Sequence, residues 1–223
     1  MKKTCIIPAR AGSKRIKNKN LKVLAGKPLV AWTIETALNS GLFDEIILST
    51  DSEEIYEIGQ LYGLQKIGLR PRHLAGDYAI AADVIAHYLS ETRKQKVCYL
   101  QPTSPLRSVE DIVSSFALMD RENAYSVISV CEYDIPSNWI YNSEQRFEKF
   151  VENISTKRSQ DFTQSYRLNG AVYWFDSQQF LKYKTHLIPK KSVPYVMPLN
   201  RSVDIDTLED FKLAEFYLNG SRL

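Results

Sequence analysis

Apolar runs of about five residues, rich in Ile, Val and Leu, alternate along the chain with longer stretches in which apolar positions recur at helical spacing. That alternation predicts βα units built around a mostly parallel sheet. Strands are predicted over residues 4–8, 45–49, 65–69, 96–100 and 125–130, and helices over 28–39, 53–62, 80–92 and 109–119. Boundary residues agree with these helices. Pro28 suits a first turn, Gly41 follows an end, Asp51 or Ser52 can open the second helix, and Ser108 can cap the fourth. After Val130 the period fails, and the next thirty or so positions hold scattered aromatics, Asn138, Asn142 and charges in no clear order. A strand at 168–175, a short helix near 178–183, a strand near 195–199 and a last helix at 207–218 restore the pattern. With no repeat, low-complexity tract or linker, the chain reads as one domain over 1–223 with an excursion at about 131–166.

Composition narrows the class. A chain of 223 residues can bury one sizeable core, and 44% hydrophobic with 25% charged residues is ordinary for a globular protein. No apolar run approaches the ~18 residues of a membrane span, and residues 1–8 are too polar for a signal-peptide core, so no membrane partner is expected. Cys5, Cys98 and Cys131 are widely spaced within apolar runs, which argues for buried thiols in a reducing cytoplasm and against a disulfide frame or zinc site. The formal charge is only +3, so a chain-wide field for nucleic acid is absent. The charge is nevertheless unevenly placed. Nine basic residues precede the first acidic one, Glu35, and the remainder carries 20 basic against 26 acidic residues.

Sheets of this kind bind ligands at the carboxyl ends of their strands, so the loops after strands are where chemistry is expected. The first such loop joins Gly12 and Ser13 to Arg10, Lys14 and Lys19. Glycine permits a turn that points amides at one spot, serine adds a donor, and the cations can surround a triphosphate. The competing reading is a solvated basic loop or a weak nucleic-acid patch. A Walker-type loop is not supported, because the second glycine and the hydroxyl after the lysine are missing. The second loop, residues 100–107, has Pro102 and Pro105 to stiffen a turn that presents Gln101 and Thr103 or Ser104. The third segment holds Asp204 and Asp206, which in an extended chain project to one side and can meet one hard cation such as Mg²⁺. Asp206 could instead cap the last helix in a box with Glu209. Arg70 to Asp77, and Arg167 to Ala171, are weaker candidates for closing round an acidic substrate, with surface ion pairs as the alternative. His73, His87 and His186 are dispersed, and no hydrolase triad is apparent.

Together these segments resemble the acylneuraminate cytidylyltransferases, the CMP-sialic acid synthetases and bacterial relatives acting on legionaminic and similar nine-carbon acids. The matching elements include Ile7 to Lys14, Lys19-Asn20, Gly26 to Leu29, Ser49 to Asp51, Leu74 to Asp77, Gln101 to Arg107, Arg167 to Ala171 and Asp204 to Asp206. The likeness spans about residues 4 to 215, and Gln-Pro-Thr-Ser-Pro-Leu-Arg is its most specific part. It implies a Rossmann-like α/β nucleotidyltransferase that uses CTP and Mg²⁺ to activate a 2-keto-3-deoxy sugar acid, giving a CMP-sugar and pyrophosphate. By resemblance, Arg10, Ser13, Lys14, Lys19 and Asn20 would hold the CTP phosphates and ribose, while Arg70 and Asp77 border the cytosine. Gln101, Arg167 and Asn169 would face the sugar acid, and Asp204 and Asp206 would bind Mg²⁺. Lys19, Arg158 and Asp206 would act at the reacting groups, with either Asp206 or a hydroxide on the metal taking the attacking hydroxyl's proton. A homodimer is implied too, with the excursion packed on the partner. The sequence departs from the family at Tyr78 to Ala82, where Ser or Thr is frequent, at Arg158-Ser159 in place of paired arginines, and at Lys14-Arg15-Ile16-Lys17. Pseudaminic acid or an eight-carbon keto-sugar acid is the alternative acceptor, and RNA binding by the basic loop is the alternative of another class.

Overall fold

The first strand, β1 (Lys2–Pro8), puts Cys5 and Ile7 into one buried cluster with Val30, Ile34 and Ile112, and Ile6 into another with Ile47, Ile85 and Phe180. Alternation along a strand sends neighbours to opposite faces, so a run that is apolar throughout marks a strand covered on both sides. The computed structural model of the protein describes residues 1–65, 67–76, 78–89, 94–135, 139–144, 146–154 and 163–220. Among them no helix is long and apolar enough to cross a membrane.

Around β1 the sheet is completed by β4 (Glu45–Ser49), β5 (Gln95–Tyr99), β6 (Ser126–Tyr133), β7 (Ser165–Asp176) and β8 (Ser192–Met197), in the order β4-β1-β5-β7-β6-β8. The pairs β1/β4, β1/β5 and β6/β8 are parallel, while β7 runs antiparallel to both its neighbours. This reversal matters for the site, because it brings the amino-terminal half of β7 beside the carboxyl end of β5. The sheet is flanked by α1 (Leu29–Asn39), α2 (Glu53–Leu61), α3 (Ala81–Tyr88), α4 (Val109–Arg121), α6 (Ser177–Tyr183) and α7 (Leu208–Gly220). Ser52 caps α2, accepting from the Ile55 amide, and Ser108 caps α4 in a reciprocal box with Asp111.

Three sequence expectations are corrected. The run 65–69 forms no strand at its described positions, because Gly68 adopts φ +81° and the Arg70 amide bonds the Thr50 carbonyl (2.6 Å) beyond the end of β4. The helix expected over 80–92 ends at Tyr88, where Leu89 turns extended, and residues 90–93 lie outside the described set. Pairing of β6 with β7 reaches Tyr133 and Ser165, so the ladder extends into both ends of the 131–166 excursion, which contributes α5 (Phe147–Ile154). A small antiparallel ribbon, β2 (Val23–Leu24) with β3 (Lys27–Pro28), was not anticipated. Ala25 and Gly26 both take positive φ in its two-residue turn, as a type I′ hairpin requires.

The segment that leads to the two candidate aspartates is moored to α4. Arg201 donates from Nε (3.0 Å) and Nη2 (2.8 Å) to the Asp111 carboxylate, whose side chain is fully buried. Burial pushes the Asp111 carboxyl up, but the Arg201 and Ser108 hydrogen bonds outweigh it and hold the group below its ordinary value. A depressed carboxyl contributes stability above its unfolded pKa of about 3.9 and loses it as pH falls through the folded value. Arg201→Met should therefore cost about 2 kcal/mol in urea unfolding at pH 7, and the gap from wild type should narrow as pH falls below about 4.

Candidate active site

The loop after β1 is built by hydrogen bonds from a distance. Ala9 donates to the Ser49 carbonyl (2.8 Å), Ala11 to Asp51 Oδ1 (2.9 Å), and the buried Asn20 amide to the Arg10 carbonyl (3.0 Å). Asp51 thus anchors this loop while Ser52 caps α2. Asn18 turns the chain with a left-handed φ of 51° into a short 3₁₀ turn at Lys19–Leu21. Arg10, Ser13, Lys14 and Lys19 line a cleft of about 560 Å³ at the carboxyl ends of β1 and β5. Gln101, Thr103, Asp204 and Asp206 line the same cleft, and Tyr99, Ala81 and Val84 add apolar surface to it.

The acidic run is not a strand, yet alternation survives in it. Val203 and Ile205 are buried with Leu29, Phe211 and Ala214, which leaves Asp204 and Asp206 to line the cleft. Ile205 donates its amide to the Thr103 carbonyl (2.8 Å) and accepts at its own carbonyl from Lys19 Nζ (2.6 Å). Lys19 Nζ also lies 3.3 Å from Asp206 Oδ1, and Arg15 Nη1 lies 2.5 Å from Asp206 Oδ2. Burial raises the Asp204 carboxyl above its ordinary value, opposed by a hydrogen bond from Thr103. The helix cap proves to be Thr207 with Asp210: each amide bonds the other's side chain, at 2.8 and 3.2 Å. Asp206 is thereby released from capping, and Glu209 is not its box partner.

These residues fit a Mg²⁺ ion. Among the described residues no group of three or more His, Cys, Asp or Glu could hold a metal alone. Magnesium, however, characteristically takes one or two carboxylates and completes its octahedron with phosphate oxygens and water. The Arg15–Asp206 pair is at least half exposed at both ends, and such pairs are worth only about 0–1 kcal/mol, so exchanging Arg15 for a cation costs little.

The remaining candidates separate. Arg70 is buried in the cleft wall, donating to the Ser49 carbonyl and to the Leu74 carbonyl (3.3 Å), while its Nε has no hydrogen-bond partner. Asn169, expected to face a sugar, is instead turned inward. Its Oδ1 accepts from Ser129 (2.6 Å) and the Ala171 amide (3.2 Å), and its Nδ2 donates to Ser202 (2.9 Å). A buried amide without partners is costly, so this side chain is committed to joining β6, β7 and the acidic run. Arg167 is exposed on β7 and does not line the cleft. Asp77 and Arg158 lie outside the described residues.

Residues 4–219 match the family described as Cytidylyltransferase. The chain belongs to the cytidylyltransferase family. It is 36% identical over 222 residues to the pseudaminic acid cytidylyltransferase of Campylobacter jejuni serotype O:2, covering 96% of this chain and 95% of that one. It is 38% identical over 212 residues to the N-acylneuraminate cytidylyltransferase of Escherichia coli O18:K1:H7, covering 94% of this chain and 50% of that one. Identity to the CMP-N,N'-diacetyllegionaminic acid synthase of Legionella pneumophila is 31%, over 96% and 95% of the two chains. Among solved structures, a CMP:2-keto-3-deoxy-manno-octonic acid synthetase complexed with CTP shares the fold, with a TM-score of 0.72, 15% identity and full coverage of both chains.

In this cytidylyltransferase several site-forming residues had no local signal. Arg15 stood within the basic run, but its carboxylate partner lies 191 positions away. Arg107 belongs to the most specific motif, yet nothing near it showed that its guanidinium turns into the protein. If Thr207 rather than Asp206 is the cap, Thr207→Ala should lower stability by about 1 kcal/mol in urea unfolding, whereas Asp206→Ala should stay within about 0.5 kcal/mol of wild type.

Proposed function

We propose that this chain couples CTP to a nonulosonic acid, a nine-carbon 2-keto-3-deoxy sugar acid, releasing pyrophosphate and a CMP-sugar. The observation that carries this reading is one cleft, in a cytidylyltransferase, where a cationic loop faces two carboxylates across the carboxyl ends of β1 and β5. The anomeric hydroxyl attacks the α-phosphorus in line, the bond to the β-phosphate oxygen breaks, and the hydroxyl proton leaves to a base, for which Asp206 is the choice. Transfer of this kind depends on alignment and charge neutralisation more than on covalent help. Arg10, Ser13 and Lys14 take the phosphates. Lys19, bonded to both Ile205 and Asp206, ties the cationic wall to the acidic one and adds charge where the pyrophosphate departs. Mg²⁺ on Asp204 and Asp206 supplies further neutralisation of the triphosphate when bound. Arg70, in the cleft wall, borders the base. Asp77 and Arg158 keep their roles at the base and the reacting groups on the motif resemblance alone.

Relatives named for pseudaminic, neuraminic and legionaminic acids all match over nearly the whole of this chain, which supports the acceptor class. Pseudaminic acid stands beside the neuraminic and legionaminic acids, the match to its cytidylyltransferase covering nearly the full length of both chains. Three buried free cysteines support a reducing, cytoplasmic setting. A homodimer is supported by the aromatic group on the excursion, where Tyr141, Phe147 and Phe150 pack together with Phe147 57% exposed. Carboxylates facing the basic loop disfavour RNA as its ligand.

Pyrophosphate release from CTP should be measured with sialic, legionaminic, pseudaminic and eight-carbon acids in turn. Release is expected with at least one nine-carbon acid, and none with any of the four would refute the reading. Lys14→Met should raise KM for CTP about tenfold with the acceptor KM little changed, and Asp204→Asn should cut kcat by about a hundredfold or more.

A further inference from the structure

Arg107 is an expensive residue to place where it is. Its side chain is 3% exposed and all three hydrogen bonds go to neutral acceptors: Nε to the Ala171 carbonyl (2.7 Å), Nη2 to the Gln101 carbonyl (2.8 Å) and Nη1 to Thr33 Oγ1 (3.3 Å). Burial lowers its pKa to about 10, which still leaves it charged at neutral pH. An apolar side chain would fill the same volume without the desolvation cost. What it would not do is clamp two particular carbonyls, one on the β5–α4 turn and one on β7.

Those carbonyls flank a tight contact. Gly170, next to Ala171, has φ +75°, and a Cβ built on it would stand 2.7 Å from Gln101 Oε1, 3.4 Å from Ser104 Oγ and 3.5 Å from Asp204 Oδ2. The Gln101 carboxamide therefore occupies the space a side chain on Gly170 would need, and the Asp204 carboxylate borders the same space. Only glycine combines that φ with that clearance.

We propose that Gly170 and Arg107 are positioning residues that act through Gln101, holding its carboxamide in the one direction that aligns the sugar acid. This rests on the functional reading above. Arg107 fixes where the turn's main chain stands relative to β7, and Gly170 provides the surface on which the side chain lies. The three side-chain hydrogen bonds of Arg107 go to Ala171, Thr33 and Gln101, none of them in the cationic loop, so nucleotide binding should be left intact.

The test uses the full chain and the acid for which wild type releases pyrophosphate. Gly170→Ala and Arg107→Lys should each raise the acceptor KM, or lower kcat/KM for it, by about tenfold, the scale of one well-placed hydrogen bond, with the Kd for CTP by calorimetry within about twofold. Gln101→Ala should show the same split. The double variant Gly170→Ala/Gln101→Ala should be no worse than Gln101→Ala alone, because both act through one side chain. If the two losses multiply, or if CTP affinity falls in parallel, the proposal is overturned. Should Arg107→Lys fail to fold, the Gly170 cycle decides alone. Wild-type inactivity with every acid would overturn the functional reading and this proposal with it, whereas multiplicative losses in an active enzyme overturn only the proposal.

Discussion

Ile205 is held through both of its backbone polar groups, its amide by the Thr103 carbonyl and its carbonyl by the Lys19 ammonium. Three segments meet there that are far apart in the chain: the basic loop, the proline-braced turn after β5 and the run between β8 and α7. Because Ile205 is buried in the third apolar cluster, the hydrogen bonds are backed by packing, and the flanking aspartates inherit a fixed direction. Without that tie the cations and carboxylates would be three loops with no common geometry. The antiparallel course of β7 serves the same end, bringing Gly170 and Ala171 to the edge of the cleft that β5 opens.

The site concentrates charge of one sign and then answers it from elsewhere. The amino-terminal part of the chain has no acidic residue before Glu35, so its cations are answered by carboxylates from later segments, Asp206 meeting both Lys19 and Arg15. The exposed Arg15 pair is weakly held, while in the Lys19 pair the ammonium end is largely shielded from solvent. A triphosphate with its metal would meet both cations and carboxylates in the one cleft, the pairing its own charges require. Away from the cleft lining, Asp111 with Arg201 and the lone Arg107 show a second use of charge, holding segments in place.

Much of this was legible from local pattern. Strands covered on both faces, the Ser52 and Ser108 caps, the loops at the strand ends and the order of motifs all depend on residues within a few positions of one another. The misreadings share the opposite property. The run 65–69 alternates like a strand, but Gly68 and the Thr50 bond decide its path. Asp206 looked as suited to capping as to a metal, and Asp210 beside Thr207 removed it from the first role. Asn169 carries an amide that would suit a sugar, yet Ser129 and Ser202, forty and thirty-three positions away, claim it.

The sequence by itself determined the family, the succession of elements and which kinds of side chain reach the sheet edge, since periodicity, caps and motifs are properties of neighbouring residues. The tertiary structure alone decided which way Asn169, Asp206 and Arg107 point, and which cations and carboxylates share a cleft. A side chain's direction is settled by whichever hydrogen-bond partners and apolar neighbours the fold brings to it, and here most of those partners stand tens to nearly two hundred positions away.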